Sequence, residues 1–196
     1  MLEKHRIELI ELYPQMFTWS VWKEPNTFGK IYNKVLSVIH KYFKFTRKLN
    51  YISQPNPYNY RFGVGDGWFR LLRDLIIKIK RNDTKNGYVT KVTQIKEKFG
   101  GLRFYVNGTS DTNWDYIQFA EDKSYTICES CGAQSNVGIL NARWHWLSTR
   151  CIKCAKTEFE KKKSEGRIKD GITFEDVWDY ARISKTIQTP KVKLKK

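Results

Sequence analysis

The chain has 196 residues, 40% hydrophobic and 15% aromatic, enough apolar material for one ordinary domain or a domain with a small appendage. That composition excludes an intrinsically disordered polymer and a miniprotein dependent on disulfide staples. A formal net charge of +16 and a pI near 9.7 select anionic partners, namely phosphate polymers, anionic membranes or acidic proteins, although the Lys-, Asn- and Ile-rich usage of an AT-rich genome also feeds such an excess.

No apolar run approaches the roughly 18 residues of a membrane span. The opening "MLEKHRIELIELYPQ" carries charges where a secretory signal has its apolar segment. The expectation is a soluble cytoplasmic protein with no membrane partner. "LEKHRIELIELY" spaces Leu2, Ile7, Leu9, Ile10 and Tyr13 for a short amphipathic helix that Pro14 ends. After the aromatic "MFTWSVWKEP", a long helix is predicted from Thr27 to Asn50. Phe28, Ile31, Val35, Val38, Ile39, Tyr42, Phe45 and Leu49 mark its apolar face, and Lys30, Lys34, Lys41, Lys44 and Lys48 its basic face. Pro55 and Pro57 make "SQPNPYNYRFG" a loop.

"GVGDGWFRLLRDLIIKIKRND" predicts a second helix, capped by Asp66 and burying Trp68, Leu71, Leu72, Leu75, Ile76 and Ile79. In "GYVTKVTQIKEKFGGLRFYVNG" the period changes to two. Leu102, Phe104 and Val106 alternate with Arg103 and Tyr105 around a turn at Gly100 and Gly101, which predicts a hairpin. Lys96, Glu97, Lys98 and Arg103 are expected to form a cross-strand salt-bridged face on it. "DTNWDYIQFAEDKS" reads as a short helix, and "AKTEFEKKKSEGRIKDG" begins as another. Thr173 and Asp176 in "TFED" form a capping-box pattern opening a further helix that carries Phe174, Val177, Trp178 and Ala181. "KTIQTPKVKLKK" is a basic tail.

Every cysteine lies in "CESCGAQSNVGILNARWHWLSTRCIKC", spaced C-x2-C-x19-C-x2-C. In a reducing compartment such pairs point to a metal, and zinc prefers a closed tetrahedron of thiolates at about 2.3 Å. Cys128, Cys131, Cys151 and Cys154 are therefore the expected ligands of a structural Zn²⁺, with iron or a redox or disulfide role as alternatives. Gly132 permits a tight knuckle turn after the first pair, and "CIKCAKTEFEKK" sets the second pair at a helix start, an arrangement resembling a treble clef or zinc ribbon. His145 in "RWHWL" reads as a hairpin side chain, because four thiolates already close the shell. The expected fold class is α+β. It comprises a helical and β-hairpin domain over 1–122 with a basic helical insertion at about 23–58, a four-cysteine zinc module over 123–160, and a C-terminal helix and basic tail over 161–196.

The strings "GDGWFRLL", "VTQIKEKFGGLRFYV" and "YTICESCG…RWHWLSTRCIKCAK", in that order, resemble a family of small uncharacterised bacteriophage and prophage proteins. The likeness spans residues 61–156 and, more loosely, 6–20. It implies no catalytic or binding residue. The basic segment over 23–58 and the extension beyond Lys156 depart from the family pattern.

No Walker loop, G-x-S-x-G or H-E-x-x-H occurs, and 3 histidines are available for proton transfer, so a non-enzyme with no catalytic residues is expected. A metal-dependent nuclease built from Asp66, Gln94, Lys96 and Glu97 is the weaker alternative. The leading expectation is an accessory protein binding nucleic acid through Lys30, Lys34, Lys41, Lys44 and Lys48, positions that read equally well as a solvated helix face. The other is an interaction factor that occupies a host defence or replication protein through an acidic or nucleic-acid-binding surface. Exposed aromatics near "QPNPYNY" or "NARWHW" would suit that role.

Overall fold

The structure, a computed structural model, describes residues 1–18, 57–143 and 146–179, with four separate helical positions at Ile31, Lys34, Val35 and Val38. The rest of the predicted Thr27–Asn50 helix, His145, Ala181 and the basic tail lie outside the described residues. The architecture is α+β, with two small antiparallel sheets. No helix among the described residues is long and apolar enough to cross a membrane.

Helix α1 (Glu3–Leu12) buries Leu9 and Ile10, and Pro14 converts the chain to a 3-10 turn that buries Met16 and Phe17. Helix α2 (Phe69–Asn86) buries Leu71, Leu72, Leu75, Ile76 and Ile79, the stripe that its spacing predicts. Gly87 closes α2 in the left-handed region, at φ 71. Asp66 does not cap α2, because a 3-10 turn, Asp66–Trp68, intervenes. Its carboxylate instead accepts the Leu2 N–H (2.9 Å) at the start of α1 and contacts His5 Nδ1 (2.7 Å), so it caps the neighbouring helix. Burial alone would raise the Asp66 pKa, but those two partners outweigh it and hold it below the ordinary carboxylate value.

Strands β1 (Lys91–Lys98) and β2 (Gly101–Asn107) form the predicted hairpin, pairing Ile95 with Phe104 and Lys98 with Gly101. Val92, Ile95, Leu102, Phe104 and Val106 close the main core with α1, α2 and Trp68. The expected salt-bridged face does not form. Strand alternation sets Lys96 opposite Arg103, two like charges, and turns Glu97 toward the Gly100 N–H (2.6 Å). Arg103 reaches Glu121 (3.7 Å) and the Tyr125 hydroxyl (3.3 Å), both outside the hairpin.

Helix α3 (Asp111–Ser124) is capped by Ser110, whose hydroxyl accepts the Asn113 N–H. It also seals the free edge of β2, where the Leu102 N–H donates to Ser124 Oγ (2.9 Å) and the Phe104 N–H to Glu121 Oε1 (2.8 Å). At the opposite end of the core the buried Asp83 carboxylate accepts from Tyr13 Oη (3.0 Å), the Thr90 N–H (2.8 Å), Thr90 Oγ1 (3.0 Å) and Asn113 Nδ2 (2.8 Å). One side chain thereby ties α2, the entry to β1, α3 and the residue after α1.

Beyond α3, strands β3 (Val137–Arg143) and β4 (Trp146–Cys151) form a second hairpin, followed by helix α4 (Ile152–Ser164). The Thr173–Asp176 capping box is present, yet its helix α5 (Phe174–Val177) lasts one turn, and Trp178–Asp179 instead pairs with β3 as strand β5. Side-chain packing overrides the helical pattern here. The Trp178 ring covers Gly138, where a side chain would collide with it, and stacks on Phe174 at 5.6 Å.

Replacing Asp83 by Ala strands several buried donors. The expected cost is about 2–4 kcal/mol, read as a lower urea midpoint with an unchanged slope.

Candidate metal centre

The first cysteine pair sits in a knuckle turn directly after α3. The Gly132 N–H donates to Cys128 O (2.8 Å) and the Cys128 N–H to Ala133 O (2.8 Å), a closure that needs the left-handed φ of 78 at Gly132. Cys151 ends β4 and serves as the N-cap residue of α4, which puts Cys154 in the first helical turn. The hairpin between the pairs returns the chain so that the knuckle and the helix start face each other.

The four sulfurs lie within 4.8 Å of one another, with Cys131 and Cys151 Sγ at 3.7 Å, and all four thiols are free. A tetrahedron with bonds of about 2.3 Å has sulfur–sulfur edges of about 3.8 Å, whereas a disulfide needs about 2.05 Å. The donor set therefore fits a four-coordinate metal ion. Cys128 and Cys151 are buried, Cys154 is half-buried and Cys131 is exposed. Burial pushes the Cys128 and Cys154 thiols up. Burial also acts upward on Cys151, but hydrogen bonds from the Cys154 backbone and the neighbouring thiols outweigh it and lower that pKa. A bound cation would ionise all four.

The segment "GVGDGW" grips the knuckle through its backbone. The Gly67 N–H donates to Glu129 O (2.7 Å), the Gly65 N–H to Glu129 Oε1 (2.8 Å), and the Trp68 indole N–H to Ile127 O (2.9 Å). A Cβ on Gly67 would overlap Cys128 O and Gly132 N and stand 2.8 Å from Cys131 N. The buried Glu129 carboxylate also pairs with Arg150 (2.7 Å), which in turn reaches Glu158 (3.0 Å) on α4. Glu158 additionally pairs with Lys162.

The β1–β2 turn closes the other side. Thr149 Oγ1 donates to Gly100 O, and Gly101 lies against the Tyr125 ring so closely that a side chain there would collide. The three strings quoted above therefore meet at one junction. Two of its determinants were missed in the sequence, the docking role of Gly65 and Gly67 and the Glu129–Arg150 pair. Glycines at alternate positions, Gly63, Gly65 and Gly67, are the signal for close backbone approach that would have found the first.

The nuclease candidates do not converge. Asp66 is engaged by Leu2 and His5, Gln94 is exposed on β1, Lys96 lies over the Tyr105 ring at 5.6 Å, and Glu97 faces Gly100. Among the described residues, the group of His, Cys, Asp or Glu side chains placed to hold a metal is the cysteine quartet. Of the predicted nucleic-acid contacts, Lys34 is helical and exposed, and Lys30, Lys41, Lys44 and Lys48 lie outside the described residues. Comparison of the chain with protein-family models, curated proteins and solved structures gives no match.

Gly67→Ala is expected to destabilise the protein by about 3 kcal/mol or more and to speed metal loss to a chelator, because the colliding atoms are backbone. Gly166→Ala, at φ 66 with nothing among the described residues within 4 Å of the added Cβ, should cost only about 1–2 kcal/mol. Thermal midpoints and chelator release rates compare the two.

Proposed function

We propose that this is a zinc-stabilised accessory protein of bacteriophage type, acting in the cytoplasm of an infected or lysogenic bacterial host and binding nucleic acid through basic surfaces. The observation that carries the reading is the charge: 36 Lys and Arg against 20 Asp and Glu. A polyanion is the partner that such an excess attracts most strongly.

The ion in the cysteine quartet is zinc in this reading, supported by the C-x2-C pairs and the tetrahedral sulfur spacing. Knuckle, hairpin and helix follow one another as in a treble clef. Four thiolates leave no open position for water, so the metal holds the fold and function belongs to the surface. Lys30, Lys34, Lys41, Lys44 and Lys48 then contact phosphates.

A second reading is a phage-encoded factor inhibiting a host defence or replication protein. Ile31, Val35 and Val38, at i, i+4 and i+7, are 59%, 52% and 53% exposed, the spacing with which an amphipathic helix enters an apolar groove. A metal-dependent nuclease is the least supported alternative.

Native mass spectrometry should find a single zinc per chain, lost in Cys151→Ser together with the β3–β4 region before α2 melts. Log affinity for single-stranded or duplex DNA should fall with log salt, by about 0.7 or 0.9 per phosphate neutralised. Changing Lys34, Lys41 and Lys48 together to Glu should weaken binding across unrelated sequences. Salt-independent binding to a host protein that survives the triple change would favour the second reading. Mg²⁺- or Mn²⁺-dependent cleavage of nucleic acid, abolished in both Asp66→Ala and Lys96→Ala, would establish the third.

A further inference from the structure

We propose that the outer face of the β1–β2 hairpin is a stacking platform for single-stranded nucleic acid, with Phe99 and Tyr105 receiving bases and Lys96 and Lys98 contacting phosphates. The inference rests on the nucleic-acid reading above and gives it a site within the described residues.

Alternation turns Gln94 and Lys96 of β1 and Arg103 and Tyr105 of β2 to the side opposite the core. Tyr105 is 39% exposed. Phe99, at the turn, is 60% exposed and held at φ 56, a conformation that bulky residues rarely adopt. The turn enforces this: Glu97 and Thr149 hold Gly100 from both sides, and Gly101 is wedged against Tyr125. A rigid, anchored turn thus presents an apolar ring to solvent instead of the core. Each ring has an ammonium over it, Lys98 at 5.3 Å from the Phe99 centroid and Lys96 at 5.6 Å from that of Tyr105. Neither ammonium has a carboxylate partner among the described residues.

Exposed π-faces beside unpaired cations match the chemistry of an unpaired strand, whose bases offer free faces and whose phosphates follow at short range. A duplex keeps its base faces stacked and could use only the lysines. A β-strand peptide is a poor occupant because both hairpin edges are interrupted by groups already bonded to them. Gly63 pairs with β1 through the Gly63 N–H to Ile95 O (2.9 Å) and the Glu97 N–H to Gly63 O (2.9 Å), and Ser124 and Glu121 occupy the β2 edge. The face offers the longer uninterrupted surface. From Gly101 at the turn to Tyr105 the strand runs roughly 13 Å, enough to separate the two rings by more than one base.

The test is fluorescence anisotropy of the full chain, zinc-loaded, with labelled oligothymidylate and oligouridylate of about 15 nucleotides and a duplex of equal length. Both single strands should bind more tightly than the duplex. Phe99→Ala and Tyr105→Ala should each weaken single-strand binding by about 5- to 50-fold, while Trp114→Ala and Phe119→Ala, exposed aromatics on α3, should not. Lys96→Gln with Lys98→Gln should lower the salt slope by about 1.4. Phe99→Trp should retain binding. Should Phe99→Ala perturb folding, seen as a shifted thermal midpoint, Tyr105→Ala and the lysine pair, half-buried at Lys96 and exposed at Lys98, decide. Single-strand binding unchanged in these variants would overturn the platform and leave the basic-surface reading standing. Equal or tighter duplex binding would overturn the platform as well. Binding to none of the probes would remove both.

Discussion

The architecture depends on a backbone-to-backbone contact, the approach of Gly65 and Gly67 to the turn that carries Cys128 and Cys131. A glycine at 67 lets its amide reach Glu129 O at 2.7 Å while its Cα lies where any larger residue would strike the knuckle. Trp68 follows at once, fully buried, with its indole N–H fixed on Ile127 O. The chain thus enters α2 with one end of its core already locked to the turn that carries the first cysteine pair.

That contact matters because the described residues of the cysteine-bearing half supply little apolar core of their own. Its buried clusters are small, Cys128, Val137 and Cys151 in one and Leu140 and Ala155 in another, the second closed over by Phe174, Val177 and Trp178. Stability there draws on the Glu129–Arg150–Glu158 chain and on the β1–β2 turn packed on Thr149, to which a metal ion held by the four thiolates would add. Ile127, by contrast, belongs to the main core, so α3 leads from one region into the other without a break. A metal ion in this setting would hold together a junction as well as a loop.

Periodicity made α2 and the β1–β2 hairpin legible. The stripe from Leu71 to Ile79 and the alternation of Leu102, Phe104 and Val106 each had one pattern and one burial solution, and both formed as read. The cysteine spacing was equally legible, since four thiols returning in two turns have few other uses. Interactions over long sequence separations were not. Asp66 looks like a local cap, but the competing partner, the Leu2 amide, is far away in the chain and close in space. Trp178 sits in a helical pattern, but the open edge of β3 and the bare surface of Gly138 draw it into a strand. The charged face of the hairpin failed for a different reason, because reading Lys96, Glu97 and Lys98 together ignores that neighbours in a strand point to opposite sides.

Hairpin turns are usually where a lineage gains or loses residues, since a loop tip in solvent accepts almost any length. The turn at Phe99, Gly100 and Gly101 has no such latitude, being clamped between β4 and Tyr125. Added residues would strain the fold there, whereas a Cβ at Gly87, Gly166 or Gly171 would meet nothing within 4 Å among the described residues. Those three sites are also where a reporter or affinity peptide could be spliced in, whereas the same graft at the hairpin tip would pry the two halves of the protein apart.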